Sequence, residues 1–200
     1  TIVDFFGADF AKKELVDKGI MGNLILGNNV LAHVPDINDF VNGMKMALKS
    51  NGIITMEFPH LMKLVEECQF DTIYHEHFSY LSFTAVNRIF EYQGLEMFHV
   101  EELPTHGGSL RIFAKHKDDK SKDRSGNVTN LLNREEKANM KSIDYYSNFQ
   151  ERVDKIKYNV WEFLIKAKRE GKKVIGYGAA AKGNTLLNYC GIKGNDLIQF

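Results

Sequence analysis

The sequence predicts an α/β fold: a parallel sheet built on a β-α-β unit, followed by a second, smaller α/β unit. Three observations predict it. Leu24-Ile25-Leu26-Gly27-Asn28-Asn29-Val30 is a short apolar run of the kind buried on both faces of a sheet. An amphipathic stretch and a second apolar run, Ile53 to Phe58, follow it, and the right-handed crossover of such a β-α-β order makes a parallel pair. Far downstream, after a polar break, Val174-Ile175-Gly176-Tyr177 restarts a strand and passes through small residues into another helix.

Each element has a local reason. Asp36 is a suitable N-cap, and Ile37, Phe40, Val41, Met44 and Leu48 recur at three- and four-residue steps, which puts one apolar stripe on a helix that Asn51-Gly52 should end. Thr84 is expected to cap a helix carrying Val86, Ile89, Phe90 and Gln93, with Gly94 terminating it in the left-handed conformation. Leu95 to Leu103 reads as a strand. Ser109 to Lys115 reads as its partner, with Leu110, Ile112 and Ala114 alternating against Arg111 and Phe113. Thr105-His106-Gly107-Gly108 turns between the two.

His116 to Asn127 has almost no apolar side chain to bury and reads as a solvated linker, which sets the domain boundary there. Beyond it, Tyr146, Phe149, Val153, Ile156, Val160, Phe163 and Ala167 fall on one face of a long helix ending near Gly171. That stripe suits packing against a neighbouring sheet, and secondarily self-association through a coiled-coil-like seam.

Composition excludes several classes. The chain has 200 residues, 44% of them hydrophobic, with 26 basic and 26 acidic side chains and no net formal charge. No bulk positive field draws in nucleic acid, and no run of about 18 apolar residues spans a bilayer. Cys68 and Cys190 stand far apart without CxxC spacing, so neither a disulfide framework nor a zinc cluster can be built from them, and a reducing cytoplasm is the expected compartment. The chain opens on Thr1-Ile2-Val3, which reads as the last piece of a strand, and a fragment of a longer polypeptide is expected.

Tyr74-His75-Glu76-His77 packs four titratable groups side by side after the proline-ended strand Ile53 to Pro59, and His33 follows another strand just before Pro35. An imidazole titrates near neutrality, and an adjacent carboxylate fixes its tautomer and raises its basicity, so His77 is the natural general base. If the segment is extended, Tyr74 and Glu76 share one face and His75 and His77 the other; a turn would bring three of them together. A polar surface loop is the plainer alternative, and zinc ligation by His33, His75 and His77 a remoter one.

Gly178-Ala179-Ala180-Ala181-Lys182-Gly183-Asn184 has the make-up of an anion site, in which glycine permits close backbone approach and Lys182 adds charge. Gly176-x-Gly178-x-x-Ala181 fits a loose dinucleotide fingerprint. The acidic residue expected after the next strand is missing, because Asp196 precedes the apolar run Leu197 to Phe200, so a full dinucleotide site is disfavoured. A nucleoside diphosphate group, or simply a tightly packed strand-to-helix turn, remains.

The runs NNVLAHVPDINDFV, EFPHL, FDTIYHEHFSYLS, LPTHGGSLR and YGAAAKGNTLLNYCG, in this order from Asn28 to Gly191, resemble the sugar C-methyltransferase family. The resemblance implies an S-adenosylmethionine-dependent enzyme acting on nucleotide-linked keto-deoxysugars. Its expected parts are an N-terminal zinc-binding module, a central class I methyltransferase domain and a C-terminal Rossmann-like domain. On that pattern residues 1–116 are the C-terminal part of the methyltransferase domain, 117–133 a linker, and 134–200 the start of the nucleotide-sugar-binding domain. Thr1-Ile2-Val3 would end the third sheet strand, Leu24 to Val30 would be the fourth and Ile53 to Phe58 the fifth. Zinc belongs only to the N-terminal module, and a chain without the glycine-rich loop should bind the cofactor poorly alone.

The resemblance carries over His77 as catalytic base, with Glu76, Tyr74 and His33 supporting it. It also implies Asp4, Phe5 and Asn29 on the cofactor side, Thr105 and His106 at the sugar, and Tyr177, Lys182 and Asn184 at the diphosphate. His75 receives no role. The rival readings are a non-catalytic nucleotide-sugar-binding module and a metal-dependent hydrolase using His33, His75 and His77.

Overall fold

The computed structural model describes residues 1–178 and 180–193, which form two compact units. The first comprises Thr1–Lys63 and His77–Met140; the second takes Leu64–Glu76 and the residues from Lys141 onward. The chain therefore leaves the first unit after Lys63 and re-enters it at His77, inside the YHEH run.

The first unit is built on four strands, β1 (Gly22–Asn28), β2 (Leu48–Pro59), β3 (Leu95–Leu103) and β4 (Ser109–His116), in the order β1-β2-β4-β3. The β1–β2 pair is parallel, as the β-α-β order predicts, and β4 runs antiparallel to both β2 and β3. Alternation along β4 is the expected one: Leu110, Ile112 and Ala114 are fully buried while Arg111 and Phe113 are only partly so. With Ile54, Met56 and Phe58 of β2 they make one apolar face. Three helices contribute to the same core: α2 (Ile37–Ala47), α4 (Phe83–Tyr92) and α5 (Gly126–Lys137), through Val41 and Met44, Val86 and Phe90, and Val128 and Leu131. A short helix, α1 (Ala8–Phe10), precedes them, and α3 (Leu61–Glu66) runs from the first unit into the second.

The caps refine the expectations. Asp36 caps α2, its carboxylate accepting from the Asn38 and Asp39 amides at 3.0 and 2.9 Å. The helix ends earlier than Asn51-Gly52 suggests: Leu48 already starts β2, because its side chain is 2% exposed and joins the sheet core. Helix α4 is capped by Ser82 instead of Thr84, the Ser82 hydroxyl accepting from the Ala85 amide at 3.1 Å. Gly94, at φ 77°, closes that helix as expected. Thr1–Val3 form no strand; Val3 is 95% exposed, and an extended segment needs a hydrogen-bonded neighbour to become one.

The second half of the stretch expected as a linker is helical. Polar composition hides an apolar stripe, Val128, Leu131 and Leu132, that α5 lays on the core. The same helix carries Glu135, which is 1% exposed. Its carboxylate accepts from His60 Nε2 and the Phe83 and Thr84 amides, all at 2.7 Å, so it also serves the first turn of α4.

The second unit is helical around α6 (Phe149–Arg169) and α7 (Ala181–Cys190). The Trp161 indole donates to the Cys190 carbonyl at 2.7 Å, and Leu164, Cys190 and Ile192 are buried together. Val153 packs with Cys68 and Phe70. The buried stripe of α6 runs through Val153, Leu164 and Ala167, which leaves Phe163, expected inside, 62% exposed. All the named strands lie in the first unit, and Ile175 in the expected strand Val174–Tyr177 is a single bridge residue. Ala179, Asp196 and the run Leu197 to Phe200 lie outside the described residues. No helix among the described residues is long and apolar enough to cross a membrane.

Candidate functional site

His33 ends a one-turn helix, Leu31–His33, immediately beyond the C-terminal end of β1. That turn is tied to the chain returning at His77, because the Phe78 amide donates to the Ala32 carbonyl at 2.8 Å. The tie brings the two imidazoles together edge to face, with ring centroids 4.8 Å apart and planes inclined by 64°. Tyr80 also presents its ring to His77, with centroids 5.8 Å apart and planes inclined by 79°. His77 is half-buried and His33 exposed, so the pair is shielded on one side and open on the other.

His75 and Glu76 form a turn, so the YHEH segment is not extended. Tyr74 is half-buried; burial first, then the Glu76 and Asp71 carboxylates, hold its phenol above the usual pKa of 10. It is therefore a proton donor throughout the neutral range.

A second group of polar residues collects where β1 and β2 end. Asn29 follows β1 in the left-handed conformation (φ 55°), its amide donating to the Glu57 carbonyl at 2.8 Å. The Asn29 side-chain Nδ2 lies 3.2 Å from His106 Nε2. Its Oδ1 is buried and has no hydrogen-bond partner among the described residues. Thr105 precedes His106 and donates its hydroxyl to Glu57 Oε1 at 2.9 Å. Arg111, paired with Glu57 across β2 and β4, donates to Oε2 at 3.0 Å.

The structure thus brings His33 to His77, and Asn29 to His106, with Thr105 held on Glu57. Asp4 and Phe5 sit in the exposed N-terminal stretch, where the Phe5 amide is bonded to the Asp4 carboxylate at 2.8 Å and the Phe5 ring is 92% exposed. The neighbouring Phe6 is the aromatic that packs, edge-on to Phe40 of α2 at 5.4 Å. In the second unit Tyr177 is fully exposed, while Lys182 and Asn184 occupy the first turn of α7, after Gly178 at φ 120°. Among the described residues no three His, Cys, Asp or Glu side chains form a group able to hold a metal ion.

Sequence reading passed over Glu57, Arg111 and Tyr80. A signal for the first existed: Glu57 is the one charged residue in the run Ile53 to Phe58, and Arg111 interrupts the complementary strand. Its significance needed the β2–β4 register, which the sequence does not print.

Residues 104–200 match the family model for the C-methyltransferase C-terminal domain. The C-methyltransferase NovU of Streptomyces niveus is 34% identical over 188 residues, covering 94% of this chain and 44% of that protein. The chain thus spans less than half the length of this curated relative. Among solved structures, the magnesium protoporphyrin IX methyltransferase of Synechocystis PCC 6803 with bound SAH overlaps 48% of this chain and 45% of its own, at a TM-score of 0.38 and 9% identity. M1.HpyAVI overlaps 58% and 55%, at 0.37 and 10%. Both structural overlaps are partial.

Proposed function

Because the chain belongs to the C-methyltransferase family, we propose that the gene product containing it methylates a carbon of a nucleotide-linked 4-keto-deoxysugar, using S-adenosylmethionine. The observation that carries the reading is the His33–His77 pair, two imidazoles with ring centroids 4.8 Å apart, His77 half-buried and His33 exposed.

A ketone at C4 acidifies the C3 proton. His77 takes that proton on a ring nitrogen, and the C3–H electron pair passes into the enolate. Tyr74 and His33 donate hydrogen bonds to the enolate oxygen, at roughly 3 kcal/mol of barrier for each well-aimed donor. Glu76 supports the imidazolium charge as it develops. S-adenosylmethionine, when bound, supplies an electrophilic sulfonium methyl to the nucleophilic carbon. Asn29 fits such a cofactor, since its buried, unpartnered Oδ1 accepts from a hydroxyl or amine donor. Asp4 and Phe5 offer a carboxylate and an apolar ring for its polar and aromatic parts. Thr105 and His106 hold the sugar, and Tyr177, Lys182 and Asn184 hold the diphosphate at the start of α7.

The test is steady-state turnover of the gene product carrying His77→Asn. A fall of at least about 100-fold in kcat, with cofactor affinity nearly intact, is expected for loss of a general base. Near-normal turnover would remove His77 from that role.

A further inference from the structure

Glu57 is 6% exposed, on a strand whose neighbours Met56 and Phe58 are fully buried. Burying a carboxylate costs several kcal/mol, so an unpaired one would be replaced by an apolar residue; this one is held by Arg111, whose other nitrogen lies 3.5 Å from Glu101. The same residue controls both ends of a remote contact. Its backbone carbonyl holds the Asn29 amide at 2.8 Å, and its carboxylate holds the Thr105 hydroxyl at 2.9 Å. The ring closes where His106, next to Thr105, meets Asn29 at 3.2 Å.

Both members of that closing contact are non-glycine residues in the left-handed region, Asn29 at φ 55° and His106 at φ 53°. Such conformations cost about 1 kcal/mol or more each and persist only where the surroundings over-determine them. The loop Thr105–Gly107 has further ties of its own: Gly108 N and Ser109 Oγ donate to the Thr105 carbonyl at 2.9 and 3.0 Å. These fix the turn, and the His60 amide, just past β2, holds the Gly108 carbonyl at 3.0 Å; the Glu57–Thr105 bond ties Thr105 itself to β2, the strand whose Glu57 carbonyl also holds the Asn29 amide.

We propose that Glu57 is a positioning residue, which through Thr105 holds the His106 imidazole against Asn29 and so joins the sugar side of the site to the cofactor side. The assignment of those sides rests on the function proposed above; the geometric coupling does not.

The experiment is NMR on the isotope-labelled 200-residue chain, reading the nuclear Overhauser contact between the His106 ring and the Asn29 side-chain amide. In Thr105→Val, which keeps the shape and removes the donor, this contact is expected to disappear and the His106 ring resonances to move, while the methyl resonances of Leu110 and Ile112 stay in place. Thr105→Ser should restore the contact. Should Thr105→Val fail to fold, Thr105→Ala is read in the same way. A contact of wild-type strength in the folded donor-less variant overturns the proposal. Failure of the His77→Asn turnover test leaves this contact untouched, so the two readings fail separately.

Discussion

His77 presents its imidazole edge to that of His33, 4.8 Å away between centroids, across a junction closed by the Phe78 amide and the Ala32 carbonyl. If His33 serves the enolate while His77 takes the proton, the two act on one transition state. His33→Ala is then expected to lower kcat by roughly 100-fold, as for loss of one oxyanion donor. The double variant His33→Ala with His77→Asn should lose little more than His77→Asn alone. Steady-state kinetics of the gene product decide it; additive losses would mean independent roles.

Glu135 joins α5, α4 and His60 in one buried knot. Burial alone would raise its pKa, but the bonds from His60 and from the Thr84 and Phe83 amides hold it below the ordinary 4.5. A lowered folded-state value means that folding favours the ionised form. Its contribution is complete above the ordinary glutamate value and is lost as pH falls through the lower, folded-state one. Glu135→Ala is expected to destabilise the chain by about 3 kcal/mol in urea unfolding. Glu135→Gln should flatten the decline of stability as pH falls below the ordinary glutamate range; an unchanged slope would assign that decline to other carboxylates.

Gly43 lies inside α2, where alanine would normally gain about 1 kcal/mol in helix propensity. Here a Cβ would come 2.7 Å from the backbone carbon and oxygen of Gly7. Backbone cannot swing aside as a side-chain tip can, so overpacking of about 1–3 kcal/mol should win. Gly43→Ala is expected to lower the chemical denaturation midpoint, and a raised midpoint would show that the segment before α1 yields freely.

Arg152 of α6 donates to the carbonyls of Val65 and Glu66, at 2.7 and 2.6 Å, on the last turn of α3. A cation suits those orphan acceptors, and hydrogen bonds to a charged group are worth about 1.5–3 kcal/mol. Arg152→Ala should speed amide exchange at Gln69, Phe70 and Thr72 by at least about tenfold, with Ile54 and Ile112 unchanged. Uniform acceleration would instead report global destabilisation.

Lys182 occupies the first turn of α7, beside Asn184. With a nucleoside diphosphate as probe, Lys182→Ala is expected to weaken binding about tenfold and to flatten its dependence on ionic strength. Equal salt dependence in both proteins would favour the plain packing reading of that turn.

Much of the fold was legible because its causes are local. The 2.0-residue alternation of β4, the stripe of α2 and the caps Asp36 and Gly94 depend on neighbours within a few positions, and they appear where the sequence puts them. Where two caps compete within three residues, as Ser82 and Thr84 do, local chemistry does not choose. Helix α5 was hidden for a different reason: its apolar residues are few, and their burial depends on a sheet face and on His60, 75 positions before Glu135.

The sequence by itself determined which residues form the β-α-β unit and the closing strand pair, and marked His33 and Tyr74–His77 as candidates for chemistry. It did so because periodicity, capping and side-chain acidity are properties of short stretches. Tertiary structure alone decided that His33 meets His77, that Glu57 reaches Thr105 across 48 positions and that Asn29 meets His106 across 77. Those contacts depend on strand order and register, set when the β2–β4 pairing lines Glu57 up with Arg111 and the buried face excludes water.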